Sequence, residues 1–589
     1  MSPATDRRAV RLLTAIGWAA LALAAAPALA PWLVAGHSAV LDLERAEALH
    51  RAIVGGAWLP RWLPALYGGY GSPIFNYYSP LAYFVGEALR LAGAGPLWAP
   101  KLVLTLSLLV GALGARAAAR RLFGEAAGAA AFGLWPLAPY LLLDVYVRSA
   151  TGEIAGLALL PVALASVLAL GERATAGAVA RAALAVALLV LAHNVVALLA
   201  VPVLAVVAAG TGDRRARLRG LAAIAVGLAL SAFFWAPALA ERDLVWAEES
   251  LTGGAFDYRA NFLPAGALWP WRAQMQFPGH YGEPFGFRFG FAFGLGLAAL
   301  PWLARRLPES RRRAALAVAG AFVLALLLAT SASLPVWRLF PLLRFVQFPY
   351  RLLGPASLAG VLLLSAAVAA SRGRARVVIG AALLVLVGID AGRELRLARY
   401  GLVDRQTLDL RIFERGEIGR AELDPRLVDP FDFVRFALDR RSDFSGTVGE
   451  DFLPRTVARR PAPMSGSGCI LPGVEPGALS VVAERCGSGR IAAELEVRAA
   501  TTLLVHQFAF PGWRATVDGR ARAIAPEPVG GRIAIEMRPG DRRLELVFGD
   551  TPVRRAAKLA SGAAWAALAL YVLRERRRRR VSAAPEPRC

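Results

Sequence analysis

Apolar runs of membrane length recur along the first two thirds of the chain, separated by short polar loops. They fall at about 12–35, 97–118, 125–143 and 152–171, continue as a hairpin at 179–210 that turns near His193 and Asn194, and resume at about 220–238, 288–304, 314–332, 351–371 and 376–391, with a last run at about 557–573. Each is about 16 to 24 residues long, against the roughly 20 that a bilayer core requires, so the pattern predicts about twelve transmembrane helices. The stretch "YYSPLAYFVGEALRLAG" (77–93) is shorter and is interrupted by Glu87 and Arg90, which predicts an interfacial helix. From about residue 478 the period changes. "ALSVVAER", "RIAAELEVRA", "TTLLVHQFAF", "WRATVDGRA", "RIAIEMR" and "RRLELVFG" alternate or run apolar between Gly and Pro, with Asp518-Gly519 as a hairpin turn. A small β-sandwich is the expected fold there.

Charge orients these elements. The formal net charge is +24, nearly all of it arginine, since lysine occurs only at Lys101 and Lys558. The basic residues collect in "MSPATDRRAVR", "RAAARR", "GERATAGAVAR", "GDRRARLRG", "RRLPESRRR", "SRGRAR" and the terminal "RERRRRR". These loops alternate with the spans as the positive-inside rule requires, which explains the charge without nucleic acid. The expected architecture is a mostly α, polytopic membrane protein with both termini cytoplasmic. Residues 1–391 form the transmembrane domain, with a first outer loop at 36–96. Residues 392–556 form an extracytoplasmic domain placed before the last helix, 557–573, and residues 574–589 form a basic tail. Cys469 and Cys486 lie in the outer domain, where a disulfide is plausible, and Cys589 is left over. No zinc-binding spacing, P-loop or dinucleotide fingerprint occurs.

The span centres carry almost no charge, whereas carboxylates gather at the outer ends: Asp42, Glu44 and Glu47 after the first span, Asp144 and Glu153 around the third and fourth, and Glu241, Asp243, Glu248 and Glu249 after the seventh. Arg61, Arg148, Arg259, His280, Arg344 and Arg351 join them, with aromatics that include Trp58, Trp62, Tyr70, Tyr77 and Tyr78. A transporter would carry ionisable groups near the midplane, so this belt points to chemistry at the water and headgroup boundary. Ordinary structural roles compete at every position. Asp42 suits a helix N-cap over 43–54, arginines at span ends snorkel to headgroups, and the tyrosines of "GGYGSPIFNYYSP" (68–80) anchor at the interface as readily as they stack on sugars. Glu153 is placed to pair with Arg148 or to hold a divalent ion.

The stretches "GAWLPRWLPALYGGYGSPIFNYYSPLAYF", "VRSATGEIAGLALLPVAL", "QFPYRLLGPASLAG" and "FPGWRATVDGR" resemble the bacterial membrane family labelled 6-pyruvoyl-tetrahydropterin synthase-related, close to the YfhO-like proteins. The order of an Asp after the first span, a Gly-containing loop and a "YYSPLAYF" helix is similar to GT-C type membrane glycosyltransferases, among them the lipid A aminoarabinose transferases and protein mannosyltransferases. The pterin label finds no counterpart, because the five histidines are scattered and form no H-x-H. The resemblance implies inverting transfer of a sugar from a polyprenyl-phosphate donor to an envelope glycan or lipid acceptor on the outer face. It implies Asp42 as the base or a metal-linked carboxylate, with Glu44 and Glu153 as further acidic groups and Mg or Mn as the possible cation. The double-acid "DE" of some GT-C enzymes is here Asp42-Leu43-Glu44, which puts metal dependence in doubt. Arg61, Tyr70, Arg148, His193, Arg259, His280 and Arg351 are the expected substrate-binding set, the arginines because a guanidinium binds phosphate oxygens in a fork. A flippase or transporter of lipid-linked saccharide, and a non-catalytic envelope assembly protein, are the alternatives.

Overall fold

A computed structural model describes residues 3–30, 38–96, 98–264, 290–403, 450–461, 468–471 and 475–582. The first helix, α1 (Pro3–Leu29), is followed by α2 (Ala39–Val54), the single turn α3 (Ile74–Tyr77) and α4 (Leu81–Leu91). With 11 residues α4 is too short to span, in line with an interfacial helix. Next come α5 (Trp98–Phe123), α6 (Glu125–Leu134) and α7 (Pro139–Leu143), which runs into a π-helical turn, Asp144–Arg148. The run continues with α8 (Thr151–Glu172), α9 (Ala176–Ala192), α10 (Asn194–Gly210), α11 (Arg214–Leu230) and α12 (Ala232–Ala240).

Local chemistry sets these boundaries. The Thr175 hydroxyl caps α9 by accepting from Ala178 N at 3.2 Å, and Asp213 caps α11 through Ala216 N at 2.8 Å. His193 breaks the α9–α10 hairpin at the expected turn, its Nδ1 accepting from Val196 N at 3.2 Å. Along α5, Gly114 lets α8 approach so closely that a Cβ there would lie 2.7 Å from Val162 N.

Seven helices among the described residues are long and apolar enough to cross a membrane, or eight if α11 and α12, bent by 68°, count as one span. That is fewer than the twelve expected from the sequence. Three causes account for the shortfall. Helices α9 and α10 have 17 residues each. The run expected at 288–304 breaks into Phe291–Ala298 and Leu300–Arg306. The helix Glu309–Leu328 carries Arg311, Arg312 and Arg313 inside its first turns. The later membrane-length helices are Pro349–Ala370, Arg374–Gly392 and Pro552–Arg578.

The β-rich segment is a two-sheet sandwich. One sheet has the order β1 (Ile470–Leu471), β4 (Thr501–Phe508), β8 (Arg532–Met537), β7 (Ala525–Pro526). The other has the order β2 (Leu479–Gly487), β3 (Arg490–Val497), β9 (Arg543–Phe548), β5 (Trp513–Val517), β6 (Arg520–Arg522). All pairs are antiparallel, and alternating side chains such as Ile491, Ala493 and Leu495 fill the interior. Asp518 (φ 47°) and Gly519 (φ 78°) make the β5–β6 turn. Cys469, just before β1, is disulfide-bonded to Cys486 in β2, so the bridge joins the edges of the two sheets.

The segment between α2 and α3 docks this sandwich onto the helices. Buried Trp62 packs its ring against Phe510, Trp513 and Phe548 at 5.4–6.0 Å between centroids and donates from Nε1 to Gln507 Oε1 at 2.5 Å. Gly71, at φ +87°, lies against the same indole, and an added Cβ would sit 2.4 Å from Trp62 Nε1. Gly71→Ala should therefore loosen the docking by roughly 1–3 kcal/mol. Faster release of the β-sandwich in limited proteolysis would register it. On the far side, Arg554 at the start of the last helix is fully buried and donates from Nε to Glu241 Oε2 at 2.8 Å, while Asn76 Nδ2 donates to the same oxygen at 2.8 Å.

Candidate functional site

Where α2, α4 and the start of α8 meet, the chain assembles a buried polar cluster. Asp42 lies one turn into α2, whose N-cap is Ser38, so capping does not explain it. Its Oδ1 accepts from Tyr83 Oη at 2.6 Å and from Arg45 Nη1 at 3.1 Å, and its Oδ2 accepts from Thr151 N at 3.2 Å. Arg45 also donates to Tyr83 Oη at 3.0 Å, and its guanidinium lies 4.3 Å from the centroid of the Tyr78 ring. Burial alone would lower the pKa of Arg45, but Tyr83, Tyr78 and Asp42 around it raise the value, so the cation persists. Asp42 is 5% exposed and lines a cavity of about 20 Å³ with Ala82, Tyr83, Glu87, Pro100 and Thr151, roughly the room of one water. A carboxylate offers about four acceptor sites, and these contacts use three.

A second group adjoins it through the backbone, since Ser38 N donates to Arg148 O at 2.9 Å and Thr151 N holds Asp42. The π-helical turn carries Asp144 and Arg148, and its end at Ser149 (φ 47°) redirects the chain into α8. Arg148 Nη1 bonds Asp144 Oδ1 and lies 3.0 Å from Glu153 Oε2. Arg351, from the turn Pro349–Leu352, donates from Nε to the same Glu153 oxygen at 3.0 Å and from Nη1 to Gln347 Oε1 at 3.0 Å. Tyr140 donates to Glu153 Oε1 at 2.8 Å. Glu153 is 1% exposed, so a carboxylate here is tolerable only with these partners. Arg148 and Arg351 each leave Nη2 without a protein partner among the described residues. Both can donate further to an anion.

Of the residues expected from the sequence, Asp42, Glu153, Arg148 and Arg351 converge here. Glu44 is buried nearby on α2, and His193, also buried, is close enough to interact electrostatically with Glu153. Arg61 is placed elsewhere: it donates to Asn76 Oδ1 at 2.7 Å and to Phe233 O at 2.5 Å, beside the Glu241–Arg554 pair. Tyr70 stacks on Phe508 at 5.2 Å and lies 4.1 Å from the His506 ring, so it belongs to the sandwich interface. Arg259 is exposed and pairs with Asp257 at 2.6 Å. His280 lies outside the described residues. Arg45 and Tyr83 were not anticipated, although Asp42 and Arg45 show the i,i+3 spacing of a helical ion pair.

Asp451 was also missed. It is buried, its Oδ1 has no hydrogen-bond partner among the described residues, and Arg45 is near enough to act on it electrostatically. Burial pushes its carboxyl up to about 6, with Arg45 opposing. The folded chain therefore holds this proton more tightly than the unfolded chain. The resulting destabilisation is absent below about pH 4, develops towards pH 6 and is complete above it, reaching on the order of 2–3 kcal/mol. Asp451→Asn should raise the melting temperature at about pH 7.5 and leave it unchanged at about pH 4, as thermal unfolding in detergent would read.

A shared divalent cation requires several ligand atoms in reach of one another. Among the described residues the one such His/Cys/Asp/Glu group is Cys469, Glu484 and Cys486, whose two thiols are consumed in the disulfide. Asp42 as held here is engaged on both oxygens by N–H and O–H donors, an arrangement that does not fit a metal ligand.

Residues 75–397, more than half of the chain, match the family described as 6-pyruvoyl-tetrahydropterin synthase related domain, membrane protein. No curated protein matches in sequence. Solved structures with similarity include the apo oligosaccharyltransferase of Archaeoglobus fulgidus, at 14% identity over 69% of this chain and 59% of that one, with a TM-score of 0.39. A second is ArnT from Cupriavidus metallidurans bound to undecaprenyl phosphate, at 15% identity over 75% of this chain and 89% of that one, with a TM-score of 0.39. A third is the mycobacterial arabinofuranosyltransferase AftD, at 20% identity over 67% of this chain and 27% of that one, with a TM-score of 0.40. The chain thus spans about three fifths of the Archaeoglobus protein, which has also been solved with Zn and sulfate.

Proposed function

The chain belongs to the membrane protein family described as 6-pyruvoyl-tetrahydropterin synthase related, and within that family we propose that it is a glycosyltransferase moving a sugar from a polyprenyl-phosphate donor to an envelope acceptor. Pterin chemistry has no support in the residues. Of the histidines in the described residues, His50 pairs with Glu87, His193 caps α10 and His506 packs on Tyr70 in the outer domain, so no triad forms.

The observation that carries the proposal is the carboxylate of Asp42, buried at the ends of the apolar helices, fixed by three donors and facing a small cavity. In the proposed reaction the acceptor hydroxyl gives its proton to Asp42 while its oxygen bonds to the sugar C1. The bond from C1 to the phosphate oxygen breaks, and the polyprenyl phosphate leaves with the electron pair. Tyr83, Arg45 and the Thr151 amide orient the base. The uncommitted Nη2 groups of Arg148 and Arg351 take up charge on the departing phosphate. A lipid-held donor needs no nucleotide-binding fold. The positive-inside reading puts this cluster at the outer face of the inner membrane. Mass spectrometry of envelope glycolipids and glycopolymers from cells with and without the gene tests the proposal. Loss of one glycoform is expected, and an unchanged inventory would refute it.

A further inference from the structure

At the opposite ends of the helices from Asp42 lies a cavity of about 480 Å³, lined by parts of five segments. The first turns of α1 contribute Asp6, Arg7 and Arg11, the α5–α6 junction contributes Phe123 to Ala126, and Arg311, Ala369 and Arg376 complete the wall. Its size falls within the range of small-molecule sites. Four arginines face two carboxylates, Asp6 and Glu125. Asp6 is taken by Arg376 at 2.8 Å, and Arg376 is further fixed by donating from Nη2 to Ser371 O at 2.8 Å. Glu125 is exposed and pairs with Arg120 at 3.4 Å. Arg11 and Arg311 have no hydrogen-bond or ion-pair partner among the described residues. Arg311 is half-buried, and its guanidinium reaches over Gly124, where an added Cβ would meet Nη2 at 3.2 Å. Gly124 to Ala126 open α6, whose leading backbone N–H groups have no partner within the helix. Val10, Phe123, Ala126 and Ala369 supply an apolar side to the same space.

We propose that this cavity is a binding site for a phosphate-bearing ligand, with an anionic phospholipid headgroup as the source that its apolar wall and its position at the helix ends favour. The unpartnered Arg11 and Arg311 and a helix N-terminus address the phosphate, while Phe123 and Ala369 accept the first carbons of the attached chain. The site is separate from the Asp42 cluster and does not depend on the reaction assigned there.

Native mass spectrometry of the full-length protein released from nanodiscs containing phosphatidylcholine and phosphatidylglycerol tests it. Retained phosphatidylglycerol should fall roughly tenfold or more in Arg11→Gln/Arg311→Gln and recover in Arg11→Lys/Arg311→Lys, which also shows that the site tolerates change. Thermal stabilisation by inorganic phosphate or pyrophosphate that is lost in the Gln pair would support the phosphate site with a soluble source. Retention unaffected by the Gln pair, with no stabilisation by either anion, would overturn it. An equal loss from Arg574→Gln/Arg576→Gln in the basic tail would also overturn it, because charge at that membrane face rather than this cavity would then be responsible.

Discussion

If Asp42 is the base proposed for sugar transfer, Asp42→Asn should lower turnover by about 10²–10⁴, the usual contribution of a positioned general base, while the protein still inserts and folds. The amide keeps the shape of the carboxylate and can still accept from Thr151 N, but it cannot take a proton. The same change also leaves Arg45 beside a neutral group at a buried site, which destabilises the cluster. A second variant separates the two effects. Asp42→Asn/Arg45→Gln removes both charges and should recover thermal stability without recovering transfer. Product formation by either variant at near-normal rate would remove Asp42 from the chemistry.

Glu153 supports the largest stability effect. It receives Tyr140, Arg148 and Arg351 on its two oxygens at 1% exposure. Glu153→Leu leaves Asp144 as the partner of Arg148 and leaves Arg351 with only neutral acceptors, Val346 O and Gln347 Oε1. Breaking a buried ion pair from one side costs about 3–5 kcal/mol. Thermal unfolding in detergent should show that loss. Arg351→Met should cost less, because Glu153 retains Arg148 and Tyr140. Equal effects from the two substitutions would mean that Arg351 alone holds Glu153.

Much of the fold was legible because it depends on local periodicity. The break at His193, the Asp518-Gly519 turn and the alternation in β3 and β4 are all written in neighbouring residues. The span count was less legible. Hydropathy locates an apolar run but not a break such as that at Ala299, nor the bend at Ser231 between α11 and α12.

The site divided in the same way. Residues placed at one face of the membrane by the charge rule share a layer, not a contact. The Asp42 and Glu153 groups adjoin because Thr151 N reaches Asp42 and Ser38 N reaches Arg148 O at the end of the π-helical turn, and nothing in the spacing of 144–153 announces a π turn. Arg61 and Tyr70 belong to that layer too, yet the sandwich claims Tyr70 and the start of the last helix draws Arg61 towards Asp550, 3.9 Å away. These partners lie hundreds of residues distant in sequence. Asp451 was invisible for a related reason, since only folding places its carboxylate under the influence of Arg45.

On the proposed reading a polyprenyl phosphate head docks beside Asp42. Photocrosslinking with a polyprenyl phosphate bearing a diazirine next to the phosphate, followed by peptide mapping, measures this directly. The expected adducts fall on α2, α4 and the 144–153 segment and are diminished in Arg148→Gln/Arg351→Gln. Adducts confined to the arginine-rich opposite end, or spread along the helices without competition from unlabelled polyprenyl phosphate, would contradict it.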